Sequence, residues 1–418
     1  MSVAQAFDID LMNDPARMGL AFLEKLDRLR ELEPVFWSET SGCWLVSRFA
    51  DVSDGFEGRL PLQNAGRVEF VMAAMPAQER EARIPHFLNN VRHGIVSLDA
   101  PEHTRIRKLV MQAFSKKVVE NIRPYARERI HYLLDRAVAE PVIEFNEKIA
   151  RPLPGYVLFR LLGIPEEHFD DLREWSNAMV EGTTVPNPSV EKLEKTEWAI
   201  REMNRVVLAE LEKRRSEPRD DLITKLLQAS DGGDQLSEDE LLASMNVLIV
   251  AGHDTTSNTM TLGVEALARQ PQAWRYMADN DARMAECVNE LMRYISMSTA
   301  QPRIVAEDFQ WHGKQLRKGD MVFLSVAGAN RDPRVFEHPD RLDFSRDTSR
   351  SQVFGPGVHH CIGHLLAKMQ LIEFFRALVQ RFERVEVLDD RLDFMPAAVF
   401  RGLYSMNVRF HPKGGAAA

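Results

Sequence analysis

Apolar positions along this chain recur mainly at spacings of three and four, the period of a helix with one buried face. That pattern predicts helices over Ala21 to Leu32, Val118 to Ala137, Trp198 to Leu211, Leu222 to Leu227 and Leu365 to Leu378. Pro186 and Pro188 break the pattern between two of them. A longer helix starts near Ser237, where Ser237 and Glu240 fit a capping box. Nothing stops it before Pro271, so it runs about 32 residues, or roughly 48 Å. Strand signals are short: Cys43 to Ser47, then positions around Ile304, Val322 and Phe323. Arg59 to His93 has weak periodicity and is expected to be a long, mobile connection. Asn330 to Arg350 reads as Pro-rich irregular chain. The fold predicted is mainly α with a minor β portion.

The 418 residues, 44% hydrophobic and 28% charged, suffice for a large core, and no repeat or Gly/Ser linker divides them. One domain over 1–418 is therefore expected, with disordered tails at about 1–10 and 413–418. A net charge of −9 argues against a general nucleic-acid binder. Three cysteines, Cys43, Cys287 and Cys361, make no disulfide framework and favour a reducing, cytoplasmic setting. The acidic N-terminus lacks the apolar run of a signal peptide. The most apolar stretch, Met245 to Ala251, falls far short of the roughly 20 residues that span a bilayer, so no membrane association is expected.

The chemistry concentrates in Phe354-Gly355-Pro356-Gly357-Val358-His359-His360-Cys361-Ile362-Gly363-His364. Two glycines and a proline impose a tight loop, and the helical spacing from Leu365 puts Cys361 where that loop enters a helix N-terminus. Amide donors and the helix dipole there favour a thiolate over a thiol. A thiolate so placed suits a haem iron. A buried structural thiol and a zinc site from His359, His360, Cys361 and His364 are the alternatives. A second cluster, Ala251-Gly252-His253-Asp254-Thr255-Thr256, lies within the long helix. Glycine there costs about 1 kcal/mol relative to alanine but lets another group approach the backbone. A following threonine can bond back to a carbonyl and widen the turn.

Phe354, Gly357, His359, Cys361 and Gly363 together resemble the cysteine signature of the cytochrome P450 superfamily, and the Ala-Gly-x-Asp-Thr-Thr run resembles that family's dioxygen-site motif. Other motifs follow in the family's order over nearly the whole chain. The likeness is greatest to soluble bacterial members. It implies the P450 fold, with the long helix central and over the haem and a small β-sheet portion. It implies haem b, with Cys361 as axial iron ligand, Phe354 beside the sulfur, and Gly363 among the haem-binding residues. His103, Arg107, Arg303 and His359 would bind the haem propionates. Asp254 would gate proton delivery and Thr255 would hydrogen-bond dioxygen, the co-substrate. Glu290 and Arg293 match the family's structural Glu-x-x-Arg pair, which locks onto an arginine of a later element, here Arg341. Cys43 and Cys287 are structural.

By position in the family, Val247, Val250, Ala251, Thr299, Ala300, Val399 and Phe400 would line a pocket for a small apolar organic substrate. Arg59 to His93 and Val180 to Leu193 would form its entrance. The activity implied is monooxygenation, a hydroxylation or epoxidation. Dehydratase or isomerase chemistry on the same haem, and a haem-binding sensor or carrier, stay open. No flavin or iron–sulfur segment is visible, so electrons would come from a ferredoxin-type donor with its NAD(P)H-dependent reductase. Arg105 and Lys108, facing away from His103 and Arg107, are expected to join a basic patch that docks that donor. The protein is expected to be a monomer.

Overall fold

A computed structural model describes residues 20–183, 188–395 and 399–414. Pro186, the tail expected at 1–10 and residues 415–418 of the tail expected at 413–418 lie outside the described residues, while Lys413 is held by its N–H to Arg381 O (2.9 Å). The expected helices are present and somewhat longer than their periodic cores: Leu20–Leu32, Lys116–Val138, Val190–Ser216, Leu222–Gln228 and His364–Arg381. The long helix is Glu238–Ala268, 31 residues. Its N-terminus carries the expected reciprocal box: Ser237 N–H donates to Glu240 Oε2 (2.9 Å), and Glu240 N–H to Ser237 Oγ (3.3 Å).

The described chain divides into two compact units. The first comprises residues up to 62, 125–153 and from 255 on; the second comprises 63–124 and 154–254. The first unit holds the β structure. Val35–Ser38 pairs antiparallel with Cys43–Val46, which runs parallel to Met321–Leu324, which pairs antiparallel with Gln301–Val305. The short strand Leu62–Gln63 lies at that sheet's edge. Val46, Val52, Val322, Leu324 and Val326 form the core beneath this sheet. A second sheet joins Ile143–Glu144, Asn407–Pro412 and Phe382–Val387. The irregular stretch expected at Asn330 to Arg350 is present from 331, after the helix Val326–Asn330, and turns and bends continue through 363.

The second unit is helical, and here one expectation fails. Arg59 to His93 is not a featureless connection: it folds into Arg67–Val71, Ala77–Arg83 and Pro85–His93. Each helix is too short for periodicity to register, and each is held by side chains from elsewhere. Glu197 accepts from Phe87 N–H (2.8 Å) and pairs with His86 Nδ1 (2.5 Å). Arg83 donates to Glu194 (2.8 Å). Deeper in this unit, the buried guanidinium of Arg214 joins Glu210, Asp221 and the carbonyl of Gly163. Among the described residues no helix is long and apolar enough to cross a membrane.

Candidate active site

The cysteine loop is shaped by its glycines. Gly355 and Gly357 have φ of +65° and +82°, a region that penalises any side chain. Gly357 is also pressed against the helix Phe49–Phe56: a Cβ there would lie 2.3 Å from the Phe56 carbonyl oxygen. The turn is closed by Gly355 N–H to Gln352 O (2.9 Å), His360 N–H to Gly357 O (3.1 Å) and Cys361 N–H to Phe354 O (2.9 Å). His364 then opens the next helix, its Nδ1 donating to Cys361 O (2.9 Å). A Cβ on Gly363 would sit 4.0 Å from Cys361 Sγ, so the sulfur lies beside that helix's first turn. Cys361 is half-buried and forms no disulfide.

Phe354 does more than flank the cysteine. Its carbonyl holds the Cys361 amide, and its ring meets His364 (6.0 Å) and carries Lys368 Nζ at 5.4 Å. Burial lowers the pKa of Lys368. His359 is half-buried in the same loop. Arg303 is buried in its strand, with Nη1 donating to Pro302 O (2.8 Å) and its guanidinium 5.2 Å from the Phe56 ring. Phe56 thus carries Arg303 on its ring and abuts Gly357 through its carbonyl. Nothing in the sequence marks Phe56, because its role depends on a contact about 300 residues away.

Among the described residues no group of three or more His, Cys, Asp or Glu side chains is arranged to hold a metal ion. The zinc alternative therefore fails: the His360 and His364 rings pack on each other at 4.6 Å instead. A single thiol at a helix N-terminus fits an iron that brings its own porphyrin nitrogens, as haem does. Cys43 and Cys287 are fully buried, and burial pushes the Cys287 thiol up to about 11, as suits inert structural cysteines.

On the long helix, Val247, Val250, Asp254 and Thr255 are half-buried and Ala251 is exposed, while Met245, Asn246, Leu248, Ile249 and His253 are buried. The accessible positions recur at i, i+3, i+4, i+7 and i+8, so all five candidates share one face. Asp254 Oδ1 lies 3.3 Å from His253 Nδ1. The helix stays α through Ala251–Thr256, so the widened turn expected there is absent. Gly252 instead admits a neighbour: a Cβ would lie 3.2 Å from Leu158 Cδ2. Thr259 Oγ1, not part of the motif, bonds back to Thr255 O (2.7 Å).

Thr299 N–H donates to Val399 O (2.9 Å), and Ser298 bridges Phe400, so these candidate pocket positions are neighbours. Thr299 and Ala300 are almost fully covered, whereas Val399 and Phe400 are half-buried. His103 is buried and Arg107 half-buried on the helix Glu102–Ala113. Burial and the charge of Arg107 lower the pKa of His103, with Asp99 opposing.

Two assignments need correcting. Arg105 and Lys108 do not make a basic patch: Arg105 pairs with Glu240 and Asp234, and Lys108 with Asp231 (2.5 Å). The turn Asp231-Gly232-Gly233-Asp234 brings acids onto them that helical geometry alone does not reveal. The second concerns the Glu290/Arg293 pair, which is fully buried and bidentate (2.7 and 2.8 Å). Arg293 also donates to the carbonyls of Asn330, Pro339 and Arg341 (2.9, 2.9 and 3.1 Å). Arg341 contributes only that carbonyl, and its side chain points to solvent. The guanidinium reaching Glu290 is that of Arg346 (3.2 Å).

The cytochrome P450 family model matches residues 180–279 and 283–400. The chain is 33% identical to the polyketide biosynthesis cytochrome P450 PksS of Bacillus subtilis (strain 168), over 92% of this chain and 94% of that protein. It is 34% identical to the mycinamicin IV hydroxylase/epoxidase of Micromonospora griseorubida, again over 92% and 94%. Among solved structures, CalO2 superposes with a TM-score of 0.87 at 27% identity, over 98% of this chain and 100% of that one.

Proposed function

The chain belongs to the cytochrome P450 family, and from that premise we propose how its own residues divide the work of a monooxygenase. It is an oxidoreductase that uses haem b and dioxygen and inserts one oxygen atom into an organic substrate. The bound haem supplies the iron at which dioxygen is activated.

Cys361 is the residue that holds this iron. Its place beside the first turn of a helix stabilises the deprotonated sulfur. His103, Arg107, Arg303 and His359 bind the propionate carboxylates, for which guanidinium forks and ring N–H groups are suited donors. Val247, Val250 and Ala251 bind the apolar part of the substrate and exclude water. One and two turns further along the same face, Thr255 holds a proton at its hydroxyl and Asp254 passes protons toward it. Thr299, Ala300, Val399 and Phe400 form a second wall. Glu290 and Arg293 are structural.

The observation that carries this reading is the single accessible face of the long helix, where apolar binding positions lead directly to a carboxylate and a hydroxyl. The test combines a spectrum with a stoichiometry. Reduced protein under carbon monoxide is expected to show the strongly red-shifted Soret band of thiolate ligation. Thr255→Ala is expected to keep that band and lose product formed per electron consumed. A band typical of histidine ligation would overturn the role of Cys361. Unchanged coupling in Thr255→Ala would overturn the proton role.

We place the electron supply in a separate ferredoxin-type protein with its NAD(P)H-dependent reductase, and the enzyme in the cytoplasm as a monomeric, single-domain protein. The chain crossing repeatedly between its two units supports the last.

A further inference from the structure

Arg67 opens the short helix Arg67–Val71, and the residues just before it are fastened to Asp99. Asn64 N–H donates to both Asp99 carboxylate oxygens (3.1 and 3.0 Å), Asn64 Nδ2 to one of them (3.1 Å), and Ala65 N–H to the other (2.8 Å). The Asp99 carbonyl in turn accepts His103 N–H (3.0 Å). The loop bearing Arg67 is thereby pinned to the start of the helix that carries His103 and Arg107. Arg67 and His103 both sense the charge of Asp99, and His103 senses that of Arg107. Arg67 and His103 thus lie near one carboxylate whose oxygens are already engaged by amide donors, with Arg107 beside His103.

The Arg67 guanidinium makes no hydrogen bond or ion pair among the described residues. It is not a solvated surface group either. Burial depresses it to about 10, against the opposing charge of Asp99, although part of the side chain stays accessible. A desolvated guanidinium is a fork of N–H donors shaped for a planar anion.

We infer that Arg67 binds a carboxylate alongside His103 and Arg107. The inference rests on the family reading of those two residues. The carboxylate has two possible sources, a haem propionate or an acid group on the substrate, and the same variants distinguish them. Wild-type, Arg67→Leu and Arg67→Lys holoenzymes are compared in two assays. The first is the rate of haem transfer to excess apomyoglobin. The second is calorimetric binding of a long-chain fatty acid and of the corresponding primary alcohol.

For a propionate, Arg67→Leu is expected to release haem about tenfold faster, with Arg67→Lys between it and wild type. For a substrate carboxylate, Arg67→Leu is expected to weaken the acid about tenfold, leaving the alcohol and the haem release rate unchanged. Arg67→Leu that releases haem at the wild-type rate and keeps the wild-type ratio of acid to alcohol affinity overturns the inference. If Arg67→Leu does not fold, Arg67→Gln gives the same comparison. Wild-type protein that takes up no haem refutes the family reading itself, and the acid-to-alcohol ratio then decides the role of Arg67 alone.

Discussion

Replacing Arg346 and Arg341 in turn by alanine separates the observed lock from the one expected from sequence. Arg346→Ala removes the third partner of Glu290, whose remaining donors are Arg293 and Asp343 N–H (3.0 Å). It also removes donors to the carbonyls of Glu337 and His338. A hydrogen bond to a charged group contributes about 1.5–3 kcal/mol, and Glu290 is fully buried, so about 3 kcal/mol of stability should be lost. Arg341→Ala keeps the carbonyl that Arg293 uses and trims an exposed side chain, which should cost no more than about 0.5 kcal/mol. At roughly 2.1 cal/mol/K per residue over 418 residues, the unfolding entropy is about 0.9 kcal/mol/K. The midpoint of thermal unfolding should then fall by about 3 °C in Arg346→Ala and by less than 1 °C in Arg341→Ala. Circular dichroism and Soret absorbance, followed together, read both numbers. Equal shifts, or a larger one in Arg341→Ala, would refute the reasoning.

Gly357→Ala forces a side chain into the left-handed region, at about 1–2 kcal/mol, and against the Phe56 carbonyl. Haem content by the pyridine haemochrome assay should drop well before the helical signal does. His103, with a folded pKa below its ordinary value near 6.5, binds fewer protons folded than unfolded. In the haem-free protein stability should therefore fall as pH drops below about 6.5 toward the folded pKa, and His103→Gln should flatten that part of the pH profile in denaturant titrations. Arg105→Glu with Lys108→Glu should leave the salt dependence of reduction by a ferredoxin unchanged and loosen the Asp231–Asp234 turn, seen as faster local amide exchange.

Much of the fold and of the site was legible because the signals are local. The capping box at Ser237, the glycines around Cys361 and the face shared by Val247 and Thr255 each lie within a few residues of chain, where spacing translates directly into geometry. What escaped depends on distant partners. Arg341 and Arg346 sit in the same irregular stretch, and no local rule decides which guanidinium turns inward. The helices between Arg67 and His93 have too few turns to display a period, and Glu194 and Glu197 help fix two of them. Arg105 looked available only because Asp234 and Glu240 approach it from far along the chain. Arg67 carried no motif at all, since its significance lies in the fastening of Asn64 and Ala65 to Asp99, 35 and 34 residues away.

The stretch 331–353 has no helical or sheet ladder of its own, yet Arg293 binds its carbonyls at Pro339 and Arg341 and that of Asn330 just before it. A segment fastened through buried side chains rather than through a ladder of its own does not fray residue by residue. Its amides are expected to exchange with solvent in one collective opening, in which the buried Glu290–Arg293 pair must give up its hold on Pro339, Arg341, Asp343 and Arg346. Because that segment leads straight into the cysteine loop, the loop's lifetime in its folded shape depends in part on buried side chains that never touch it.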